Sequence, residues 1–223
     1  MKKALSLIIF VAMLFTMTAC GATADNSSQS PSEVPSESNV PSSSSESEEP
    51  ATQSEDATQT DDNNILVVYF SHTGNTETIA SMVSDYTGGS LFEVKTVEVY
   101  PDDYDVLVDI AREEQDNNAR PELSTHVENM DDYDVIFLGY PNWWGTIPMP
   151  MFTFLEEYNF AGKTIIPFCT HEGSALGRSE NDIEQLCPDA TLLQGLAIRG
   201  SSVDGAESDV QSWIDDLNLS ISQ

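Results

Sequence analysis

The sequence predicts a doubly wound α/β fold, a three-layer sandwich around a five-stranded parallel sheet. Three observations carry that prediction. Apolar runs rich in β-branched and aromatic residues are too continuous for a sheet wet on one face. Stretches with helical periodicity alternate with them. Residues 64–223, left once an atypical amino-terminal part is set aside, are enough for one full core.

Taken in order, Ile65-Leu66-Val67-Val68-Tyr69-Phe70 reads as a strand buried on both faces, and Thr76 to Tyr86 as the helix after it. Leu91 to Val97 is a weaker strand, followed by a helix from Tyr104 to Asn117. Asp134 to Gly139 repeats the first run's character and leads to a helix over Met149 to Tyr158. Thr164 to Cys169 is the fourth strand, though Pro167 within it lacks an N–H and predicts a bulge or distorted pairing. The helix from Ser179 to Leu186 and a weaker strand from Leu192 to Ile198 come next. Last is a helix from Ala206 to Leu217, where Val210, Ile214 and Leu217 recur at i, i+4 and i+7. Five strands alternating with five helices imply right-handed crossovers.

The chain ahead of this domain divides in two. Residues 1–19 carry Lys2 and Lys3, then an apolar run that ends in Thr18-Ala19. This is the form of a secretory signal, and the run is shorter than the ~20 residues a membrane-spanning helix needs. The cysteine directly after it makes Met17-Thr18-Ala19-Cys20-Gly21 similar to a bacterial lipobox, with Met17 in place of the usual Leu. The expectation is cleavage before Cys20, lipid attachment at its sulfur, and an extracytoplasmic protein anchored to the cell membrane. Residues 20–63 form the second part. From Gly21 to Asp62 they hold 12 Ser, 4 Pro and 10 acidic residues, with no Lys, Arg or aromatic residue. Such a composition is expected to give a flexible tether, with a root-mean-square span of roughly 35 Å.

Charge excludes several functions. The domain carries 28 of the 38 acidic but only 6 of the 8 basic side chains. Nucleic acid is thereby an unsuitable partner, because affinity for it comes largely from basic groups on phosphates, and so is a basic clamp on anionic lipid. Cys20, Cys169, Cys187, His72, His126 and His171 show no spacing that builds a zinc site, and three cysteines make no disulfide scaffold. Cys169 and Cys187 are equally readable as a pair or as buried free thiols.

In an open parallel sheet the ligand sits beyond the carboxyl ends of the strands. The loop after the first strand, Ser71-His72-Thr73-Gly74-Asn75-Thr76, combines hydroxyls, a permissive glycine and the N–H groups of a starting helix. That is an anion cradle suited to phosphate. It lacks the Gly-Lys pair of a Walker A loop and the repeated glycines of a dinucleotide fingerprint. Asn75 could instead only cap the helix, and His72 only face solvent. The loop after the third strand, Gly139-Tyr140-Pro141-Asn142-Trp143-Trp144-Gly145-Thr146, sets adjacent indoles among Pro and Gly, which suits stacking on a planar ring. After the fourth strand, Thr170-His171-Glu172-Gly173-Ser174-Ala175-Leu176-Gly177 offers small and polar residues able to approach a ring edge. His171 and Glu172 are either a proton relay or a solvated pair.

Ser71-x-Thr73-Gly74-x-Thr76 after such a strand resembles the phosphate loop of flavodoxins, and the resemblance covers the domain from about Ile65 onward. It implies strand order 2-1-3-4-5 and noncovalent FMN. Ser71, Thr73, Gly74, Asn75 and Thr76 would hold the phosphate, with His72 the odd member of the loop. Pro141, Asn142, Trp143, Trp144 and Gly145 would cover the isoalloxazine, with stacking by Trp143 or Trp144 and the Gly145 backbone toward N5. Thr170, His171, Glu172, Gly173, Ser174 and Gly177 would meet the flavin carbonyls. The segment is closer to flavodoxin-like proteins with Tyr-Pro-x-Trp-Trp-Gly than to the short carriers. Surrounding negative charge and an electron-rich indole both lower a flavin's reduction potential. The first functional expectation is a monomeric electron carrier that needs no catalytic residue beyond FMN, serving a redox protein or a small acceptor. The second is an FMN-dependent oxidoreductase passing electrons from NAD(P)H to a quinone-type acceptor. A flavin-free binding module is the third.

Overall fold

A computed structural model describes residues 64–219. The signal segment, Cys20 and the tether lie outside the described residues.

The strands are β1 (Ile65–Tyr69), β2 (Ser90–Glu93), β3 (Val135–Pro141), β4 (Thr164–His171), β5 (Thr191–Leu192) and β6 (Leu196–Arg199). They form a parallel sheet in the order β2-β1-β3-β4-β5, with β6 also paired to β4. The helices are α1 (Asn75–Thr87), α2 (Tyr104–Asp116), α3 (Met149–Glu157), α4 (Ser179–Leu186) and α5 (Glu207–Asp216). All five expected helices form within about two residues of their expected ends.

Alternation along the central strands sends side chains into two cores, and this is why β1 and β3 are apolar throughout and β4 from Ile165 to Cys169. Leu66, Val68, Ile136, Leu138 and Ile165 pack with Met151, Phe154 and Leu155 of α3 and Ile183 of α4. Val67, Val135, Phe137, Ile166 and Phe168 pack with Ile79 and Val83 of α1 and Val210, Trp213 and Ile214 of α5. Gly139 is required by the second core: a Cβ there would lie 2.2 Å from the Phe168 ring.

The expected fifth strand is in two pieces, and Pro167 is central to the reason. The Lys163 and Ile165 carbonyls accept from Thr191 and Leu193 N–H at 2.8 and 3.0 Å. Alternate residues of β4, Pro167 among them, therefore turn their backbone groups toward this edge, where proline has no hydrogen to give. Pairing with β3 runs unbroken through Leu138 and Pro167, whereas on the other side Leu193, Gln194 and Gly195 separate β5 from β6. Side chains fill the gap: Trp213 Nε1 donates to the Gln194 carbonyl at 3.0 Å, and Gly195 N–H donates to Glu180 Oε1 at 3.1 Å. The second strand also ends early, at Glu93, and Thr96 makes an antiparallel bridge to Leu123 instead.

Candidate functional site

The loops that follow β1, β3 and β4 converge at the carboxyl end of the sheet on a cleft of about 720 Å³. Parallel strands with right-handed crossovers leave this end uncovered, so the fold itself makes the concavity.

The first wall is the loop between β1 and α1. Gly74, at φ +88°, is the N-cap of α1 and makes no side-chain capping bond. Asn75 is thus the first helical residue and not the cap. Its side chain, with His72, Thr73 and Thr76, lines the cleft. Ser71 turns inward, its hydroxyl accepting the Gly74 N–H at 3.2 Å. The Gly74 carbonyl accepts Thr78 N–H, so the N–H groups of Asn75, Thr76 and Glu77 precede the helical ladder and point outward, as at any helix start. Thr76 Oγ1 lies 2.9 Å from Thr170 Oγ1 at the end of β4, and both residues are buried. A pair of hydroxyls shares one hydrogen and keeps one, and the remaining hydrogen has no protein acceptor among the described residues. Free N–H groups, the positive end of a helix and an uncommitted buried O–H fit a phosphate group.

Aromatic residues build the second wall. Trp143 is half-buried and edge-on to Phe70 at 5.4 Å, Tyr100 at 5.2 Å and His72 at 6.4 Å. Trp144 is 46% exposed and sits at φ +50°. Gly145 follows at φ +86°, and Thr146 N–H donates to the Trp143 carbonyl at 3.2 Å, giving a turn of type I′. Tryptophan is an unfavourable residue for that position, at a cost of about 1–2 kcal/mol. Contacts to α2 offset it: Trp144 Nε1 donates to the Val108 carbonyl at 3.1 Å, and the Arg112 guanidinium covers its ring at 4.7 Å.

The second and third loops are stitched together. Asn142 accepts the Gly145 N–H at Oδ1 (3.0 Å) and donates from Nδ2 to the Ala175 carbonyl (2.8 Å). The Gly145 carbonyl accepts Arg178 N–H at 2.8 Å. Asp182 accepts the Thr146 hydroxyl at 2.5 Å and Arg178 Nε at 3.1 Å. Ser179 donates to the Leu176 carbonyl, so it is Tyr140 that donates to Ser179, at 2.7 Å, fixing the root of α4 to β3. Burial raises the Tyr140 phenol well above its ordinary range. Gly177, expected on the cleft, is instead behind it. At φ +61°, a Cβ on Gly177 would stand 2.3 Å from the Gly145 carbonyl oxygen.

Pro141, Asn142, Thr170, His171, Glu172, Gly173 and Ser174 line the cleft. His171 Nδ1 accepts the Gly173 N–H at 2.9 Å, which places the proton of a neutral ring on Nε2. No hydrogen bond joins His171 to Glu172 among the described residues, so the structure assembles no relay from this pair. The Glu172 carbonyl accepts Arg199 Nη2 at 2.8 Å. Its carboxylate stands with the Asn75 amide around Gly200, where a Cβ would meet them at 2.5 and 2.9 Å. Cys169 and Cys187 are free and buried, and burial pushes their thiols up to about 12 and about 11.

Sequence reasoning missed Asp102, Tyr104 and Leu107 before and on α2, and Gly200 after β6. The signal was present: these residues also follow strands at the carboxyl edge, but the segment from Tyr104 reads as an exposed acidic helix. Glu114 on that helix is in fact half-buried and accepts the Tyr100 hydroxyl at 2.8 Å, and desolvation raises its carboxyl above the usual range.

A family model described as flavodoxin matches residues 64–217. Among solved structures, a Bacteroides eggerthii protein assigned as a flavoprotein is 31% identical, with TM-score 0.63, covering 70% of this chain and 98% of that one. A Bacteroides uniformis protein with the same assignment is 30% identical, with TM-score 0.61, covering 69% and 98%. A Lactobacillus acidophilus flavoprotein solved in complex with FMN is 26% identical, with TM-score 0.55, covering 64% and 97%. No curated protein matches the chain.

Proposed function

Because the chain belongs to the flavodoxin family, we propose that its domain binds FMN noncovalently in the cleft and transfers electrons through it. The observation that carries this reading is the Thr76–Thr170 hydroxyl pair at the start of α1, with its one uncommitted hydrogen. The solved FMN complex of the Lactobacillus acidophilus relative supports the identity of the ligand.

Thr73, Asn75 and Thr76, with the first N–H groups of α1, would hold the phosphate. Among the described residues no Lys or Arg side chain lines the cleft, so charge would be met by dipoles and hydroxyls. The Trp143–Gly145 turn and the loop from Thr170 to Ser174 would enclose the ring. When bound, the flavin supplies the redox chemistry, and these residues bind and orient it. The hydrogen bonds between the two loops would hold both in place around the ring. The acidic surface suits a basic redox protein or an uncharged acceptor and disfavours anions. Cys20 lipidation would hold the domain at the outer face of the cell membrane, on the tether of residues 21–63.

The test is titration of the full chain with FMN and with riboflavin, by flavin fluorescence, in wild type and Thr76→Val. A hydrogen bond to a charged group contributes about 1.5–3 kcal/mol, so FMN affinity should fall by about 10- to 100-fold while riboflavin changes little. Equal loss for both ligands would remove the phosphate from this loop.

A further inference from the structure

We infer that Glu114 and Tyr100, neither of which lines the cleft, are positioning residues for the flavin and act on it through Trp143. The inference rests on the FMN reading above and says what holds the aromatic wall of that site in place.

Three rings meet Trp143 edge-on, and they are held in different ways. Phe70 is buried just beyond β1, with its N–H bonded to the Gly139 carbonyl at 3.0 Å. His72 belongs to the cleft wall itself. Tyr100, at 5.2 Å, comes from the connection between β2 and α2, where Val99 to Asp102 make no backbone hydrogen bond among the described residues. Its neighbour Val99 is 89% exposed, so that side chain does not anchor the stretch either. The polar tie is the Tyr100 hydroxyl, which donates to both carboxylate oxygens of Glu114 on α2, at 3.0 and 2.8 Å. Burial and the Glu114 charge raise the Tyr100 phenol well above its ordinary range, so the shared proton stays on the tyrosine. A stretch without backbone ties is thus pinned to a helix by a charge-assisted bond, the stronger kind. The ring so pinned is one that backs Trp143.

Glu114 is reached from the far side of this wall. With Tyr100 it lines a cavity of about 380 Å³ that has no residue in common with the cleft. The other charged groups there are Glu98, Glu122 and Arg120, and Arg120 is held by Glu156 at 2.6 and 2.5 Å. The carboxylate can therefore gain a proton while a flavin occupies the cleft. A protonated Glu114 is a weaker acceptor for Tyr100, and Trp143 loses part of its backing. Flavin affinity should then fall as pH falls. Desolvation raises the Glu114 carboxyl above its ordinary 4.5, so the fall starts at a higher pH than an exposed carboxyl would give. Its contribution to folding has the opposite sign, because a carboxyl with a raised pKa stabilises the fold on protonation. Affinity lost through Glu114 is therefore not stability lost through Glu114.

The experiment titrates the full chain with FMN and with riboflavin in wild type, Glu114→Ala, Glu114→Gln, Tyr100→Phe and the double variant Tyr100→Phe with Glu114→Ala. Glu114→Ala and Tyr100→Phe should each raise Kd about fivefold, for both flavins alike, and the double variant should lose no more than either. Riboflavin, which has no phosphate to titrate, is then followed from pH 7.5 to about 5. Wild-type affinity should fall about threefold, while Glu114→Gln, which keeps a neutral acceptor, should change less than half as much. Histidines change charge in this range, but His72 and His171 of the cleft are present in both proteins, so the difference belongs to Glu114. Single effects that add in the double variant, or equal pH profiles for wild type and Glu114→Gln, overturn the inference. The same pH comparison is made without flavin on the Trp143 indole N–H resonance, assigned with Trp143→Phe. A resonance that moves with pH in wild type but not in Glu114→Gln, in a chain that takes up no flavin, keeps the coupling and refutes the flavin reading instead. A resonance that behaves alike in both proteins overturns the coupling.

Discussion

Replacing Gly177 with alanine tests whether the second and third loops act as one body. A Cβ would lie 2.3 Å from the Gly145 carbonyl oxygen, 2.9 Å from its carbon and 3.0 Å from Asn142 Nδ2, where ordinary contact begins near 3.4 Å. The loops must separate by about 1 Å, an overpacking cost of about 1–3 kcal/mol. Alanine at φ +61° adds about 1–2 kcal/mol. The displaced Gly145 carbonyl also weakens its bond from Arg178 N–H, a contribution of about 0.5–1.5 kcal/mol. The expected loss of stability is about 2.5–6.5 kcal/mol. Urea unfolding followed by tryptophan fluorescence measures it, with Gly205→Ala as control, since nothing lies within 4 Å of a Cβ at Gly205. The control should change stability by about 0.5 kcal/mol or less. FMN affinity should fall with the displaced turn, by at least about tenfold. If Gly177→Ala unfolds at the control's midpoint, the loops are not locked as described.

Asp182→Ala removes the acceptor of Thr146 and Arg178 at once and should cost about 1–3 kcal/mol in the same unfolding assay. Glu172→Gln should tighten FMN by about two- to fivefold at low salt and leave riboflavin unchanged, an effect that should vanish near 1 M salt. The two thiols have folded pKa values raised above their ordinary 9.0, so the stability they contribute is full below pH 9 and is lost as pH rises toward about 11 for Cys187 and about 12 for Cys169. Urea midpoints should therefore fall between pH 9 and 11, less steeply in Cys169→Ala, and neither thiol should react with a maleimide at pH 7.5 until urea unfolds the chain. Cys20→Ser should release the protein from the membrane fraction on ultracentrifugation; unchanged partition would remove the lipid anchor.

The strands and helices were legible because β1, β3 and the middle of β4 are continuous apolar runs and the segments between them have helical periodicity. Ile65 to Tyr69 and Ser179 to Leu186 need nothing from the rest of the chain to be recognised. Pro167 announced irregular pairing, but a proline does not say which neighbour will lose its register. That depended on which way its backbone faced, a property of the assembled sheet. The site divides in the same manner. Thr73, Asn75 and Thr76 were readable from a local pattern after a strand. Gly177 was not, because its role is a contact with Gly145, 32 residues earlier in the chain. Tyr104 and Leu107 were hidden by the acidic residues that share their helix.

The interrupted edge of the sheet bears on how copies of this chain meet at high concentration. An unpaired strand edge is a template for another chain, and stacked fibrils draw on segments of six or seven residues. Here one edge offers pieces of two and four residues, out of line with each other, and the opposite edge a strand of four. The break at Gly195 is filled from within by Trp213 and Glu180, so its polar groups are already engaged when a neighbour arrives. A proline whose missing hydrogen splits the last strand thus also shields the molecule from edge-to-edge growth.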